Sequence, residues 1–478
     1  MPAPHYFLAA VAASALLATP IARAVDFGFF GRSGDAIEIN LATLPGVAAG
    51  STFANLDLAG FNGHTVLTSD LLASQPFAST GRFWVFPNPA RNTAALGDVN
   101  ASARGFQGTL AGSLLVNGET KTFNVTVQPG YTGSGAGSVG QSLESQGRAA
   151  NNPLFVAQQQ QRLRYFGFVA EGGAPLTIDA DFGPATNSAL KTFQGAFTGG
   201  VNTTQANVDG IVGPNTAGWL NAQNAPIFQE ITPTSAFTVS AVSERFATNW
   251  TIDLINKGSV LAKAATGITQ RITALSTADG YGSSAIHSTH RVGTDIDLAT
   301  NSSTHNWGNG ALSTDEANVV KHAVAFVDAN ASGRVIRFIT SNQDIYDGIH
   351  AARPSVSLYY DTSGGHQNHL HIDVGSPTRI AGRANLTGDF NLDDAVNAQD
   401  LNVAWKQYFG DNYTGADFLT WQRNFGSSQT LAFAEAAALS VPEPSALILL
   451  ALGAPIFRCY HRSQPTRQAA ETLPRRNG

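Results

Sequence analysis

The run Gly364-Gly365-His366-Gln367-Asn368-His369-Leu370-His371-Ile372-Asp373 decides how the centre of this chain is read. Three histidines fall within six residues, and the last two are spaced i, i+2. In a strand that spacing puts both rings on one face. Neutral imidazole serves both as a metal ligand and as a general base, so one face can hold the two side by side. Such a site needs partners from elsewhere in the chain, and His290 and Asp297 are the candidate pair. Around them, residues 235–380 mix helices and strands. Glu244 to Ala265 reads as helical, Arg334 to Thr340 as a buried strand, Asp344 to Ala352 as a helix ended by Pro354, and His369 to Val374 as a strand. The expectation is an α+β domain with an antiparallel sheet.

The second half of the site is Ser288-Thr289-His290-Arg291-Val292-Gly293-Thr294-Asp295-Ile296-Asp297. A His and an Asp seven residues apart converge when a turn separates them, and Gly293 permits one. With His371 they make two imidazoles and one carboxylate. Catalytic zinc sites use three protein ligands and leave one position to water, whose pKa the metal lowers towards 7 while polarising the scissile carbonyl. His369 could then take the water proton, and His366 could donate to the developing oxyanion. Each piece alone has a plainer reading: an H-x-H pair is often incidental, and a single His290 would be a surface or capping residue. Asp295, two positions before Asp297, could share its face and orient a histidine, or serve only local hydrogen bonding. Asp373 invites the same two readings, and His287, His305, His350 and Tyr281 stay unassigned.

The joint pattern S-x-H-x(2)-G-x(3)-D, followed by H-x(2)-H-x-H, resembles the metallopeptidase group of D-Ala-D-Ala peptidases, lysostaphin-like enzymes and the hedgehog signalling domain. Gly293-Thr294-Asp295-Ile296-Asp297 together with Gly-His-x-x-His-x-His is most similar to the penicillin-insensitive murein endopeptidases. The resemblance implies that His290, Asp297 and His371 bind zinc, that His369 is the catalytic histidine, and that His366 is a second active-site histidine. The D-Ala-D-Ala branch commonly uses a Glu as base, and none lies between Asp361 and Val374.

Upstream, Ile178-Asp179-Ala180-Asp181-Phe182-Gly183-Pro184-Ala185-Thr186 recurs as Val208-Asp209-Gly210-Ile211-Val212-Gly213-Pro214-Asn215-Thr216. Each copy reads as a tight turn feeding a helix, with Pro at the first helical position. An earlier helix carries Val156, Gln160, Leu163 and Phe166 at helical spacing. Residues 153–224 resemble the peptidoglycan-binding domain of bacterial cell-wall hydrolases, a small three-helix bundle. That implies peptidoglycan as a partner, with no ligand residues assignable. Such a domain would raise the local substrate concentration for a tethered catalytic domain.

Residues 25–130 read as a β-rich, sandwich-like module of unknown role. Its clearest mark is Asn117-Gly118 between two apolar runs, a hairpin signal. Residues 131–152 are Gly/Ser/Asn-rich and read as a linker. In residues 385–428, Asp389, Asn391, Asp393, Asn397 and Asp400 offer oxygen ligands at loop positions 1, 3, 5, 9 and 12, which suits Ca2+. The pattern resembles the first loop of a dockerin-type repeat, except that Asp394 replaces the usual Gly. A calcium-dependent cohesin partner is one reading of it, and a solvated Asp/Asn-rich loop between two short helices is the plainer one.

Both ends carry addresses. Residues 7–19 are apolar and Ala22-Arg23-Ala24 follows, which reads as a secretory signal peptide over residues 1–24, although its n-region has no Lys or Arg. At the far end Val441-Pro442-Glu443-Pro444-Ser445 precedes an apolar run from Ala446 to Phe457 and then five arginines. The run is short for a membrane span. Residues 441–463 resemble the PEP-CTERM sorting signal. That resemblance implies export, transient membrane anchoring and cleavage by an exosortase-like sorting enzyme, with a periplasmic, cell-surface or extracellular destination.

Composition agrees with a multidomain exported chain. Its 478 residues exceed one ordinary domain. The single cysteine, Cys459, excludes an intramolecular disulfide and a thiolate zinc site. A net charge of −6 leaves no basic footprint for nucleic acid. The expected function is an exported zinc peptidase, a murein endopeptidase or D,D-carboxypeptidase. The alternative is a non-catalytic wall- or matrix-binding protein with a structural zinc site.

Overall fold

Alternation of apolar residues builds two sheets at the N-terminal end of a computed structural model. The model describes residues 25–88, 105–133, 152–198, 208–241, 243–281, 290–300, 310–330, 333–382 and 385–428. The expected signal peptide and sorting signal lie outside these residues, as do Ser288, Thr289 and most of the expected linker. By its contacts the chain divides after Ser428, and all described residues belong to the first unit.

A four-stranded sheet takes the order Phe27–Arg32, Glu119–Gln128, Gly108–Val116, Phe53–Asp57, and its first pair is parallel. A three-stranded sheet of Ile37–Asn40, Arg82–Phe86 and Thr65–Leu67 shares its core, in which Ile39, Phe83, Phe123 and Val125 are fully buried. Asn117 and Gly118 close the long hairpin with φ of 51° and 81°, the left-handed pair a two-residue turn requires.

The next region is helical: α1 (Pro153–Tyr165), α2 (Pro184–Thr198) and α3 (Pro214–Leu220). Pro begins all three, where its missing N–H costs nothing. Leu163, Phe166, Leu190, Phe193 and Leu220 form the centre of their core. The repeated turns are each fastened by a buried glutamine. Gln160 donates to Asp179 Oδ1 (2.7 Å), the Asp181 carbonyl and Thr186 Oγ1, and accepts from the amides of Asp179 and Ala180. Gln194 repeats this on Asp209 Oδ1 (2.8 Å), the Ile211 carbonyl, Thr216 and the Gly210 amide. The Asp and Thr of each repeat are thus the two ends of one clamp. Gln160 belongs to that clamp rather than to the apolar face its spacing suggests.

The third region is a six-stranded sheet covered on one face by helices. Its elements are β1 (Phe237–Val239), α4 (Asn249–Thr266), β2 (Gln270–Ala274), β3 (Asp295–Ala299), α5 (Thr314–Ala329), β4 (Ile336–Thr340), α6 (Gln343–Ala352), β5 (Ser357–Tyr360) and β6 (His369–Val374). The strand order is β1-β2-β3-β6-β4-β5. The sheet is mixed, which corrects the expected antiparallel one. Only the inner pairs are antiparallel; β1–β2 and β4–β5 run parallel. Each parallel pair is joined through a helix, the connection parallel strands need.

Two element boundaries also shift. Phe246–Thr248 is a strand paired with Phe228–Glu230, so the expected helix from Glu244 begins only at Asn249, capped by Thr248. Arg334 and Val335 precede the strand at Ile336. Ile296 and Leu298 of β3 and Leu370, Ile372 and Val374 of β6 face α4, α5 and α6 and form the core with Leu254, Phe326 and Ile345. The alternate residues of the same strands face the other way.

The helical region packs directly on this sheet domain. Thr192 of α2 accepts the Tyr281 amide (3.1 Å), and a Cβ on Gly195 would lie 2.1 Å from Val292. The start of the expected linker is likewise docked, with Tyr131 against Tyr165 and Phe166 and the Thr132 amide on Asp35. Residues 385–428, with α7 (Gly415–Asn424), close on the N-terminal module. Asn412 exchanges two hydrogen bonds with the Gly28 backbone (3.2 and 2.8 Å), and Arg32 pairs with Asp394 at 2.7 Å. Among the described residues no helix is long and apolar enough to cross a membrane.

Candidate metal centre

Register puts the site together. β3 and β6 are antiparallel with Asp297 opposite His371 and Asp295 opposite Asp373. With a side-chain period of two, His369, His371 and Asp373 share the sheet face away from the helices with Asp295 and Asp297. His290 arrives from the turn before β3. Gly293 in that turn has φ 68°, and a Cβ there would meet Phe228 and Ala247 at 2.7 Å, so glycine is required on both counts.

His371 Nδ1 and Asp297 Oδ1 are 2.8 Å apart, and His290 Nε2 lies 3.3 Å from Asp297 Oδ2. All three side chains are buried, at 2–5% exposure, and each offers a ligand atom within 4.8 Å of the others. His366, His369 and His371 form a second such group. All five residues singled out by spacing therefore converge. His350 does not join them; it is exposed on α6 against Tyr346. His287 and His305 lie outside the described residues.

Asp295 and Asp373 divide the role left open between them. Asp373 Oδ1 pairs with His371 Nε2 at 2.9 Å, and its Oδ2 receives the Arg337 guanidinium from β4. Asp295 stands 4.0 Å from the same Nε2. Asp373 is thus the carboxylate that orients His371. Sequence reasoning passes over Asp361, whose Oδ2 lies 2.8 Å from His366 Nδ1. The available signal is an aspartate five residues before His366 at the end of a strand.

Electrostatics separate the histidines. Burial alone would raise the Asp297 carboxyl, but hydrogen bonds from His290 and His371 hold it well below the usual carboxylate range. Burial alone would lower His371, but Asp297 and Asp373 push it up to about 10. Burial lowers His369 to about 4, against the pull of Asp297, so this ring is neutral at physiological pH. Asp295 is raised well above its ordinary value by burial and by Asp373 beside it, whereas His371 and Arg337 hold Asp373 down against its own burial. Two neutralisable imidazoles and a carboxylate form a nitrogen/oxygen donor set suited to a divalent transition metal, with an uncharged imidazole next to it.

In residues 385–428, Asp389, Asp393 and Asp400 also bring carboxylate oxygens within 4.8 Å of one another. Asn391 lies among them, bonded to Asp393 through both its Nδ2 and its Oδ1. Asn397 does not point its oxygen at them; its Oδ1 accepts the Gln399 amide at 2.7 Å. Asp394 adopts φ 69°, so it takes the left-handed conformation otherwise left to glycine. Burial and the neighbouring Asp400 raise Asp389 to about 6.

Residues 154–220 match the family model described as "Putative peptidoglycan binding domain". This is the region of the three helices and their two glutamine clamps. No curated protein matches the chain. The match supports peptidoglycan as a partner and is consistent with a cell-wall-associated or periplasmic protein.

Proposed function

We propose that this chain is an exported zinc-dependent peptidoglycan peptidase, hydrolysing cross-link or terminal D-amino-acid peptide bonds. The observation that carries the reading is the buried His290–Asp297–His371 set beside a neutral His369, in a chain with a peptidoglycan-binding domain. His290, Asp297 and His371 would hold the ion. Zinc supplies Lewis-acid polarisation of the scissile carbonyl and lowers the pKa of a water to near 7.

The remaining steps fall to the side chains. His369, uncharged at neutral pH, accepts the proton of the water that attacks the carbonyl carbon and returns it to the leaving amine as the C–N bond breaks. His366, 5.0 Å from His369 and 5.5 Å from His371 between ring centroids, faces the developing negative charge. Asp373 and Arg337 keep His371 in one tautomer. His371 must release its Nδ1 proton to bind the ion, so affinity falls with falling pH. Close packing of α2 on the Val292 segment supports a wall polymer held beside the site rather than at the end of a free tether.

The test is hydrolysis of cross-linked muropeptides by the purified chain. New amine groups should appear, and both chelation and His369→Ala should abolish them. Stoichiometric zinc without turnover would instead favour a wall-binding protein with a structural ion.

A further inference from the structure

The parallel strands β4 and β5 end side by side, and the residue after each points into one small socket. Thr340 and Tyr360 are register partners, and the Asp361 amide donates to the Thr340 carbonyl at 2.9 Å. Asp361 is 6% exposed and Ser341 2%. Five donors converge on the Asp361 carboxylate. Oδ1 accepts from the Ser363 amide (2.9 Å) and Ser363 Oγ (2.6 Å). Oδ2 accepts from Ser341 Oγ (3.0 Å), the His366 amide (3.2 Å) and His366 Nδ1 (2.8 Å). The Ser341 amide in turn donates to the His366 carbonyl at 3.1 Å. His366 is therefore bound at its carbonyl, its amide and one ring nitrogen. Only Nε2 remains for the site.

We propose that Asp361 is a positioning residue of the proposed peptidase site: it accepts the His366 Nδ1–H and so turns Nε2 toward the reacting carbonyl, where Nε2 donates to the developing oxyanion when the ring carries both protons. This rests on the peptidase reading. The carboxylate cannot be replaced by an amide. The amino group that Asp361→Asn introduces would face either the Ser363 amide or the His366 amide, donor against donor, whichever way it turned. Gly365 belongs to the same socket: a Cβ there would come within 3.2 Å of Asp361 Oδ2.

The experiment compares the full chain with Asp361→Asn and Ser363→Ala. Ser363→Ala keeps the carboxylate and removes one hydrogen bond, so it reports if Asp361→Asn fails to fold. Histidine-selective 15N NMR of the metal-free protein reads the His366 tautomer, zinc competition reads the ion site, and muropeptide turnover reads kcat and KM separately. Asp361→Asn should lose the Nδ1-protonated His366 signature and lower kcat by about 10- to 100-fold. KM and zinc affinity should stay within about twofold. Ser363→Ala should shift both the signature and kcat in the same direction by less. An unchanged His366 signal with unchanged kcat overturns the proposal. So does a parallel loss of zinc affinity, which would make Asp361 a support of the ion site. If wild type turns over no muropeptide, the peptidase reading fails, and the NMR signal still decides whether Asp361 sets the ring.

Discussion

Asp297 sits where two imidazoles meet, and its neighbours show how residue chemistry divides the site. His290, Asp297, His366, His369 and His371 are legible in the sequence because strand and turn spacing groups them into two short motifs and the family resemblance joins the motifs; the pairing of β3 with β6 then brings them together. Asp373 is legible by the same strand spacing, but its selection over Asp295 as the partner of His371 is not, because Arg337 of β4 fastens it. Asp361 as the partner of His366 is not legible at all, because that contact is built by Ser341 and Asp361 at the ends of two parallel strands. Replacing Asp373 by Asn should weaken zinc affinity by about 10- to 100-fold, read by chelator competition, because His371 loses the group that fixes its tautomer. A second prediction concerns His322 of α5, which is buried and lowered to about 4 by that burial. Between pH 6.5 and 4 the unfolded chain takes up a proton there and the folded chain does not, so stability falls as pH falls through that window. The loss approaches about 3 kcal/mol at its acid end. Thermal melting of wild type and His322→Gln at pH 7 and pH 4.5 should show the variant losing less on acidification.

At the scale of elements, the repeat at Asp179 and Asp209 is readable as two turns feeding helices, but what fastens them is not. Gln160 and Gln194 lie 19 and 15 residues before their aspartates, so no common spacing advertises the clamp. Gln160→Ala or Gln194→Ala removes a buried glutamine that bridges the helix to its turn through four or five hydrogen bonds, including a buried one to Thr186 or Thr216, and each should cost about 1–3 kcal/mol of stability. Denaturation of the variants and their co-sedimentation with purified sacculi check this. The expectation of an antiparallel sheet fails for a related reason. Alternation identifies strands one at a time, whereas the parallel edges are set by the helices that cross between them, α4 and α6. The late start of α4 has the same origin, since Phe246–Thr248 is claimed by pairing with Phe228–Glu230, a contact local propensity does not contain.

At the scale of the whole molecule, the four regions pack against one another, and the start of the one expected linker, residues 131–152, is itself docked. Arg32, 5% exposed, bonds Asp394, Asn385 and the Pro129 carbonyl, so it joins the N-terminal module to the segment at 385–428. Arg32→Ala should make residues 385–428 cleave faster in limited proteolysis while leaving zinc affinity unchanged, because the ion site lies on a different sheet. The most direct measurement is mass spectrometry of purified cross-linked muropeptide dimers incubated with the full chain carrying one equivalent of zinc. Hydrolysis gives products heavier by one water in total, released as monomers or as a shortened peptide plus a D-amino acid. That release should be lost on chelation and restored by added zinc. Dimers that stay intact with zinc bound at His290, Asp297 and His371 would contradict it.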